Sequence, residues 1–350
     1  MPERVLSTRA LNRALLARQL LLERSPLPLP RALEQVAGLQ TQYAPSGYVA
    51  CWSRLRDFRR DALTRALEQR RAVQATLMRT TIHVVSARDY PLFAEAIREP
   101  RRAWFRGVQR RQVEGVDIDA AAALVRRHLA DGPRRQAELA ELLAAEGFPA
   151  VAWSGVGLWL DLVRVPPSGT WEQRRADLYG LAEQSLAPWS VTPDEGMEHL
   201  VRRYLGGFGP ASARDVASWT GVPVTTLRPV LERVGERRFR DQQGAELFDL
   251  PRAPLPDPET PGPVRFLPTW DATLLVHARR TQLLPERYRG LVFSTRNPHS
   301  VPTFLVDGAV AGAWRHQQGR VRLEPFEPLP RRVTRELEEE AQRLAAFHAD

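Results

Sequence analysis

Gln40-Thr41-Gln42, inside Leu39-Gln40-Thr41-Gln42-Tyr43-Ala44-Pro45-Ser46, carries the chemistry that the sequence offers. A glutamine amide is neutral and far too weak a base to take a proton from water, yet it donates and accepts hydrogen bonds. Two such groups can orient a water molecule or set a dipole against developing charge. The plain alternative is that Gln40 caps a helix end and Gln42 is solvated. Richer catalytic patterns are missing: the sequence has no H-E-x-x-H, G-x-x-x-x-G-K-[ST] or G-x-S-x-G, and no usable G-x-G-x-x-G. Cys51 is the only cysteine, which excludes an internal disulfide and a Cys-held zinc or iron–sulfur centre. It reads as a buried, inert thiol. The seven histidines show no ligand spacing. No cofactor and no metal are expected.

Several elements must position the glutamines. Leu11, Leu15, Leu16, Leu20 and Leu21 fall near helical spacing, and Pro26, Pro28 and Pro30 break the helix that they predict. A second helix, from about Arg31, places Leu33, Val36, Ala37 and Gln40 on one face and must stop before Pro45-Ser46-Gly47. Within a continuous helix, residues two apart point about 200° apart. Gln40 and Gln42 converge only if the backbone leaves helical angles at that helix end. A third helix is expected over about 60–71, and 77–85, which holds Arg79 and His83, reads as one β-branched strand.

Helix-then-strand units then recur. A connecting helix near 90–111 is crowded with Arg101, Arg102, Trp104, Arg106, Arg110 and Arg111. Helices are expected at 119–129, 136–145 and 154–162. A long hairpin follows over 163–181, with Trp171, Arg174 and Arg175 beyond its Pro166-Pro167-Ser168-Gly169 tip. Three helices and a hairpin are what a winged helix requires. In the third unit Ser212 can cap a short helix, Gly221 turns it into a second, and two strands flank Gly244. Residues 251–263 form a Pro-rich linker. The expected fold is mainly α with small β-sheets: three tandem winged-helix units and then a β-barrel-like region. The boundaries are 1–91, 92–118 (connecting helix), 119–190, 191–250 and 262–350. Glu336 to Glu340, in the closing helix, reads as a solvated face.

The net charge is +9 and the pI about 10.6, which suits a polyanion, DNA being the commonest. All fifty basic residues are arginine. No lysine amine is available to form a Schiff base with a sugar; the one loophole is a proline amine, were Met1 removed. No apolar run approaches the length needed to cross a bilayer. Met1-Pro2-Glu3-Arg4 leads into a charged amphipathic segment, unlike a secretory signal. A cytoplasmic, nucleoid-associated monomer with no membrane partner is expected.

The run around Gln40 and Gln42 resembles the active-site signature of the AlkZ/YcaQ-like winged-helix DNA glycosylases: Gln, one residue, then Gln or Asp, in the first winged helix. Gln40 and Gln42 match the Gln-x-Gln version, the azinomycin-resistance type; Thr41 departs from the usual hydrophobic middle residue. Met78-Arg79-Thr80-Thr81-Ile82-His83 is similar to the strand closing the first unit. Phe266 to Leu275, with His277 and Arg279-Arg280, is similar to the entry of the C-terminal barrel. The resemblance covers most of the chain. It implies a monofunctional glycosylase that hydrolyses the N-glycosidic bond of bulky or cationic alkylated purines, N7-alkylguanine adducts and possible interstrand crosslinks among them. Gln40 and Gln42 would be its catalytic residues. They would orient a water and face a sugar becoming an oxocarbenium ion. A purine alkylated at N7 or N3 is positively charged and departs neutral, so weak catalysts suffice. The implied partner is double-stranded DNA containing alkylated bases, cleaved with little base flipping. Arg79, His83, Arg101, Arg102, Arg134, Arg135, Trp171, Arg174 and Arg175 are the candidate DNA contacts. Without lysine, β-elimination is not expected. The rival reading is a non-catalytic winged-helix transcriptional regulator; a nuclease is disfavoured because no carboxylate cluster for Mg²⁺ stands out.

Overall fold

The computed structural model describes residues 4–275, 280–293 and 300–349. About half of them are helical, and thirteen strands form three sheets, so the fold is mixed α/β rather than mainly α. The largest sheet has six antiparallel strands, in the order Leu39–Gln40, Ile82–Ser86, Ala72–Thr76, Leu162–Arg164, Leu178–Leu181 and Arg134–Arg135. Its central seam pairs Gln74 with Arg164 and Ala75 with Val163. The hairpin near the motif and the later 162–181 hairpin are therefore one sheet.

Gln40 lies on an edge strand of this sheet, not on a helix. The preceding helix, Leu29–Gln35, ends early because Ala37 (φ 62°) and Gly38 (φ 81°) turn left-handed. Gly38 is required: a Cβ there would lie 2.7 Å from Val85 Cγ1. The expected turn at Pro45-Ser46-Gly47 is instead the first turn of a helix, Ala44–Arg54. Proline suits that position because the first helical N–H groups have no partner within the helix.

The strand expected over 77–85 is also corrected. Ala72–Thr76 and Ile82–Ser86 pair as a hairpin, and Met78–Thr80 forms the turn between them. Arg79 (φ 53°) and Thr80 (φ 58°) reverse the chain there. Behind the hairpin runs the helix Asp89–Val108, packed on Pro193–Phe208. Between them Trp219 is buried against Phe93, Tyr204 and Phe208.

In the third segment Ser212 caps Ala213–Thr220, Gly221 (φ 76°) turns the chain, and Val224–Val234 follows. Strands Arg237–Asp241 and Glu246–Asp249 pair, and Val5–Leu6 adds in parallel. The C-terminal strands Arg265–Leu267, Thr303–Val306, Ala309–Gln317 and Arg320–Pro325 form an open antiparallel sheet. Its first and last strands do not pair among the described residues, so no barrel closes. His277 and Arg279 lie outside the described residues. The closing helix, Arg331–Ala349, packs Phe347 on Trp52 and Trp171. Its acidic centre is not wholly solvated: Glu340 is buried and pairs with Arg24 and Arg343. Among the described residues no helix is long and apolar enough to cross a membrane.

Candidate active site

Strand pairing decides how the two glutamines are presented. Gln40 pairs with His83 in register, and the Thr41 N–H donates to the Ile82 carbonyl at 2.7 Å. On extended chain, residues two apart share a face, whereas on a helix they diverge. Thr41, between them, is buried and accepts a hydrogen bond from Gln74 Nε2 at 3.3 Å.

Gln40 is 5% exposed. Its Oε1 accepts from Arg79 Nη2 at 2.6 Å, and Arg79 Nη1 donates to the Trp219 carbonyl at 2.7 Å. Gln42 is exposed, and its Oε1 accepts from the Ile82 N–H at 3.2 Å. Burial lowers the Arg79 pKa to about 10, which leaves the guanidinium charged at neutral pH. His83 is buried beside this pair. Burial, and then the Arg79 cation, push its pKa down to about 3, so the ring is neutral. Its Nδ1 donates to the Thr81 carbonyl at 3.0 Å, and its Nε2 has no hydrogen-bond partner among the described residues.

A cavity of about 280 Å³ opens on the other side of Arg79. Leu77, Ile97, Pro100 and Trp104 wall it, and Arg79 and Arg101 reach it. Trp104 is 49% exposed. Among the described residues no carboxylate lines this cavity. Thr220 and Gly221 also line it, and the Gly221 turn packs against the Arg79 backbone at ordinary contact distance. Among the described residues the site thus offers two amides, a buried cation and a neutral imidazole, and no carboxylate to act as a strong base.

The family model described as DNA glycosylase AlkZ-like matches residues 33–347. The chain belongs to the AlkZ-like DNA glycosylase family. The solved structure of Streptomyces sahachiroi DNA glycosylase AlkZ superposes with a TM-score of 0.82, at 19% sequence identity, over 98% of this chain and 97% of that one. At that identity the likeness speaks for the fold alone. No curated protein sequence matches. Membership makes this chain a DNA glycosylase, a DNA-binding hydrolase of DNA repair, and does not favour the regulator reading.

In this AlkZ-like glycosylase the other candidate residues occupy very different settings. Arg101 is buried; its Nη1 donates to the Thr76 carbonyl at 3.2 Å, and Asp161 is 4.0 Å from Nη2. Burial lowers its pKa. Arg102 bonds Glu99 and the Trp159 carbonyl and lies over the Trp159 ring. Arg134 and Arg135 form the edge strand farthest from Gln40 in the sheet, and Arg135 pairs with Asp177 at 2.9 Å. Arg175 pairs with the same carboxylate at 2.9 Å, while Arg174 donates to the Tyr43 hydroxyl at 2.8 Å. Trp171 is mostly buried at the base of a surface cavity that Arg174 also lines. It is in edge contact with Tyr48, Phe347 and His348.

The structure therefore gathers Gln40, Gln42, Arg79 and His83 around one hairpin. Sequence reasoning missed the Trp219 carbonyl, which no residue type could announce. It also passed over Tyr43, which is exposed directly after the motif and walls a second cavity of about 230 Å³ with Trp171, Trp314, His316 and His348.

Proposed function

We propose that this AlkZ-like glycosylase hydrolyses the N-glycosidic bond of bulky or cationic alkylated purines, N7-alkylguanine adducts foremost, with Gln40 and Gln42 as its catalytic amides. One observation carries the reading: both amide oxygens are held by the 79–82 hairpin turn, Gln40 through Arg79, and Arg79 also reaches a cavity that, among the described residues, no carboxylate lines. Such groups orient a water but do not deprotonate it, so most of the driving force must come from the leaving group. An N7-alkylated guanine meets that demand because it leaves as a neutral base.

The finer features belong to the same proposal. The three helix-and-hairpin segments act as winged-helix units with the boundaries given above, arranged along a duplex. The Gln-x-Gln motif fits self-resistance to an alkylating natural product, and interstrand crosslinks are within the substrate class. The enzyme works as a cytoplasmic, nucleoid-associated monomer on double-stranded DNA containing alkylated bases. The absence of lysine favours base release without strand cleavage.

The test is incubation with duplex DNA carrying N7-alkylguanine, followed by alkali to break abasic sites. Wild type should yield alkali-dependent breaks, and the Gln40→Ala/Gln42→Ala double variant should yield few. Full activity in the double variant overturns the site assignment. Breaks without alkali overturn the monofunctional reading. Binding of a defined undamaged operator with no base release would favour the regulator.

A further inference from the structure

We propose that Arg79 is a positioning residue that locks the Gln40 amide with its oxygen inward, so that Gln40 meets the damaged nucleotide as a hydrogen-bond donor. The proposal rests on Gln40 being part of the active site, and it says what that residue recognises.

Donor chemistry fixes the amide orientation. A guanidinium has donors and no acceptor, so the group 2.6 Å from Arg79 Nη2 is the Gln40 oxygen and not its nitrogen. The Gln40 N–H₂ has no protein partner among the described residues. Gln42 is set in the same sense, because the backbone N–H of Ile82 can only donate and therefore holds Oε1. The motif thus presents two N–H₂ groups outward. Their natural partners are acceptors on the lesion-bearing nucleotide: sugar or phosphate oxygens, or the purine carbonyl.

Arg79 is built for this task rather than for gripping the DNA backbone. Both of its terminal nitrogens are already committed to protein oxygens, one on Gln40 and one on Trp219. No carboxylate lies within ion-pair distance of it among the described residues. A buried cation without a counter-charge is costly, and its left-handed backbone adds about 1 kcal/mol. The left-handed backbone makes the hairpin turn, but the turn does not require the buried charge, which is spent on holding Gln40 and the Trp219 carbonyl. Trp219 is deeply buried among Phe93, Tyr204 and Phe208, so the arginine's second anchor is rigid.

Single-turnover cleavage of duplex DNA carrying N7-alkylguanine tests this, using wild type, Gln40→Ala, Arg79→Met, Arg79→Lys and the Arg79→Met/Gln40→Ala double variant. A lost charge-assisted bond predicts that Arg79→Met slows the chemical step by about tenfold to a hundredfold. DNA affinity and its salt dependence should stay near wild type. Arg79→Lys, which keeps one donor, should recover part of the rate. Arg79→Met should add less than about threefold to the loss already caused by Gln40→Ala. Independent, multiplying losses in the double variant overturn the proposal, and so does weakened binding with a shallower salt slope, the mark of a phosphate contact. If Arg79→Met melts far below wild type, Arg79→Lys carries the comparison, and a Lys variant no slower than wild type in a Gln40-dependent enzyme overturns it. If Gln40→Ala is itself fully active, the glutamine reading falls first. If Gln40→Ala is slow and Arg79→Met is not, positioning alone is wrong.

Discussion

Arg54 and Asp271, 217 positions apart, lie side by side in two parallel hydrogen bonds of 2.9 Å each. Neither side chain is more than 2% exposed. The arginine ends the helix that starts just after the glutamine motif, and the aspartate sits at the entry of the C-terminal region. The pair therefore ties the site's supporting helix to the last third of the chain. Removing one partner strands a buried charge, which costs about 3–5 kcal/mol. Asp271→Asn should lower the denaturant midpoint accordingly, and Arg54→Met/Asp271→Leu should be markedly less damaging. A single variant with an unchanged midpoint would show that the pair does not tie these segments together.

Gly38 offers a test of how tightly the strand holding Gln40 is built. Alanine there must adopt φ 81°, and its Cβ would strike Val85 Cγ1 at 2.7 Å and the Val84 carbonyl at 3.1 Å. Gly244 has a nearly equal φ of 82° with nothing within 4 Å. Gly244→Ala should therefore report the left-handed penalty alone, roughly 1 kcal/mol. Gly38→Ala should cost more, and it should also slow base release, because the clash displaces the strand that carries Gln40. Equal stability losses in the two variants, with wild-type rates in both, would show that the clash is relieved at no expense to the site.

The contrast between the third segment and the motif segment explains what the sequence could convey. Ser212, Gly221 and Gly244 are chemical marks of a cap and two turns, and the elements lie where those marks place them. Near the motif, the apolar spacing through Ala37 suggested that the helix continued, although Gly38 was a stop signal of the usual kind. Pro45 was ambiguous, because proline both breaks helices and begins them. The turn at Arg79 and Thr80 uses left-handed residues that carry no glycine or asparagine to announce it. The Gln74–Arg164 seam and the Trp219 carbonyl are long-range facts, and local pattern does not encode them. Gln40 and Gln42 are found through family resemblance, and the strand edge and bend that hold them are long-range products of pairing with the 82–86 strand.

His83 gives the fold a definite response to acid. Its ring titrates near 6.5 in an unfolded chain but only near 3 when buried. Between those values the unfolded chain holds a proton that the native protein does not, so stability falls as pH falls, by about 1.4 kcal/mol per unit. His348, pushed to about 4 by burial, acts in the same direction. Above pH 7 neither contributes a slope. Replacing His83 by Leu should reduce the stability lost between pH 7 and pH 5 by roughly 2 kcal/mol. Denaturation curves at the two pH values measure this; an unchanged difference would mean that the ring is not held neutral.

The candidate DNA-contact arginines separate by where their guanidinium groups are already spent. Arg135 and Arg175 share one carboxylate, Asp177, at 2.9 Å each, which leaves a net positive charge on that edge of the sheet. Arg175 is 83% exposed and can turn to a phosphate at little expense. Arg102 is held by Glu99, the Trp159 carbonyl and the Trp159 ring, so a phosphate contact would forfeit those bonds. Each phosphate contact contributes about 0.9 to the slope of log affinity against log salt. Arg175→Ala should therefore flatten that slope by about one and weaken binding to damaged and undamaged duplex alike. Arg102→Ala should leave the slope unchanged and show its effect as lost stability of the 89–164 region. A flattened slope for Arg102→Ala, with none for Arg175→Ala, would place the phosphate contact on the connecting helix instead of the 162–181 hairpin.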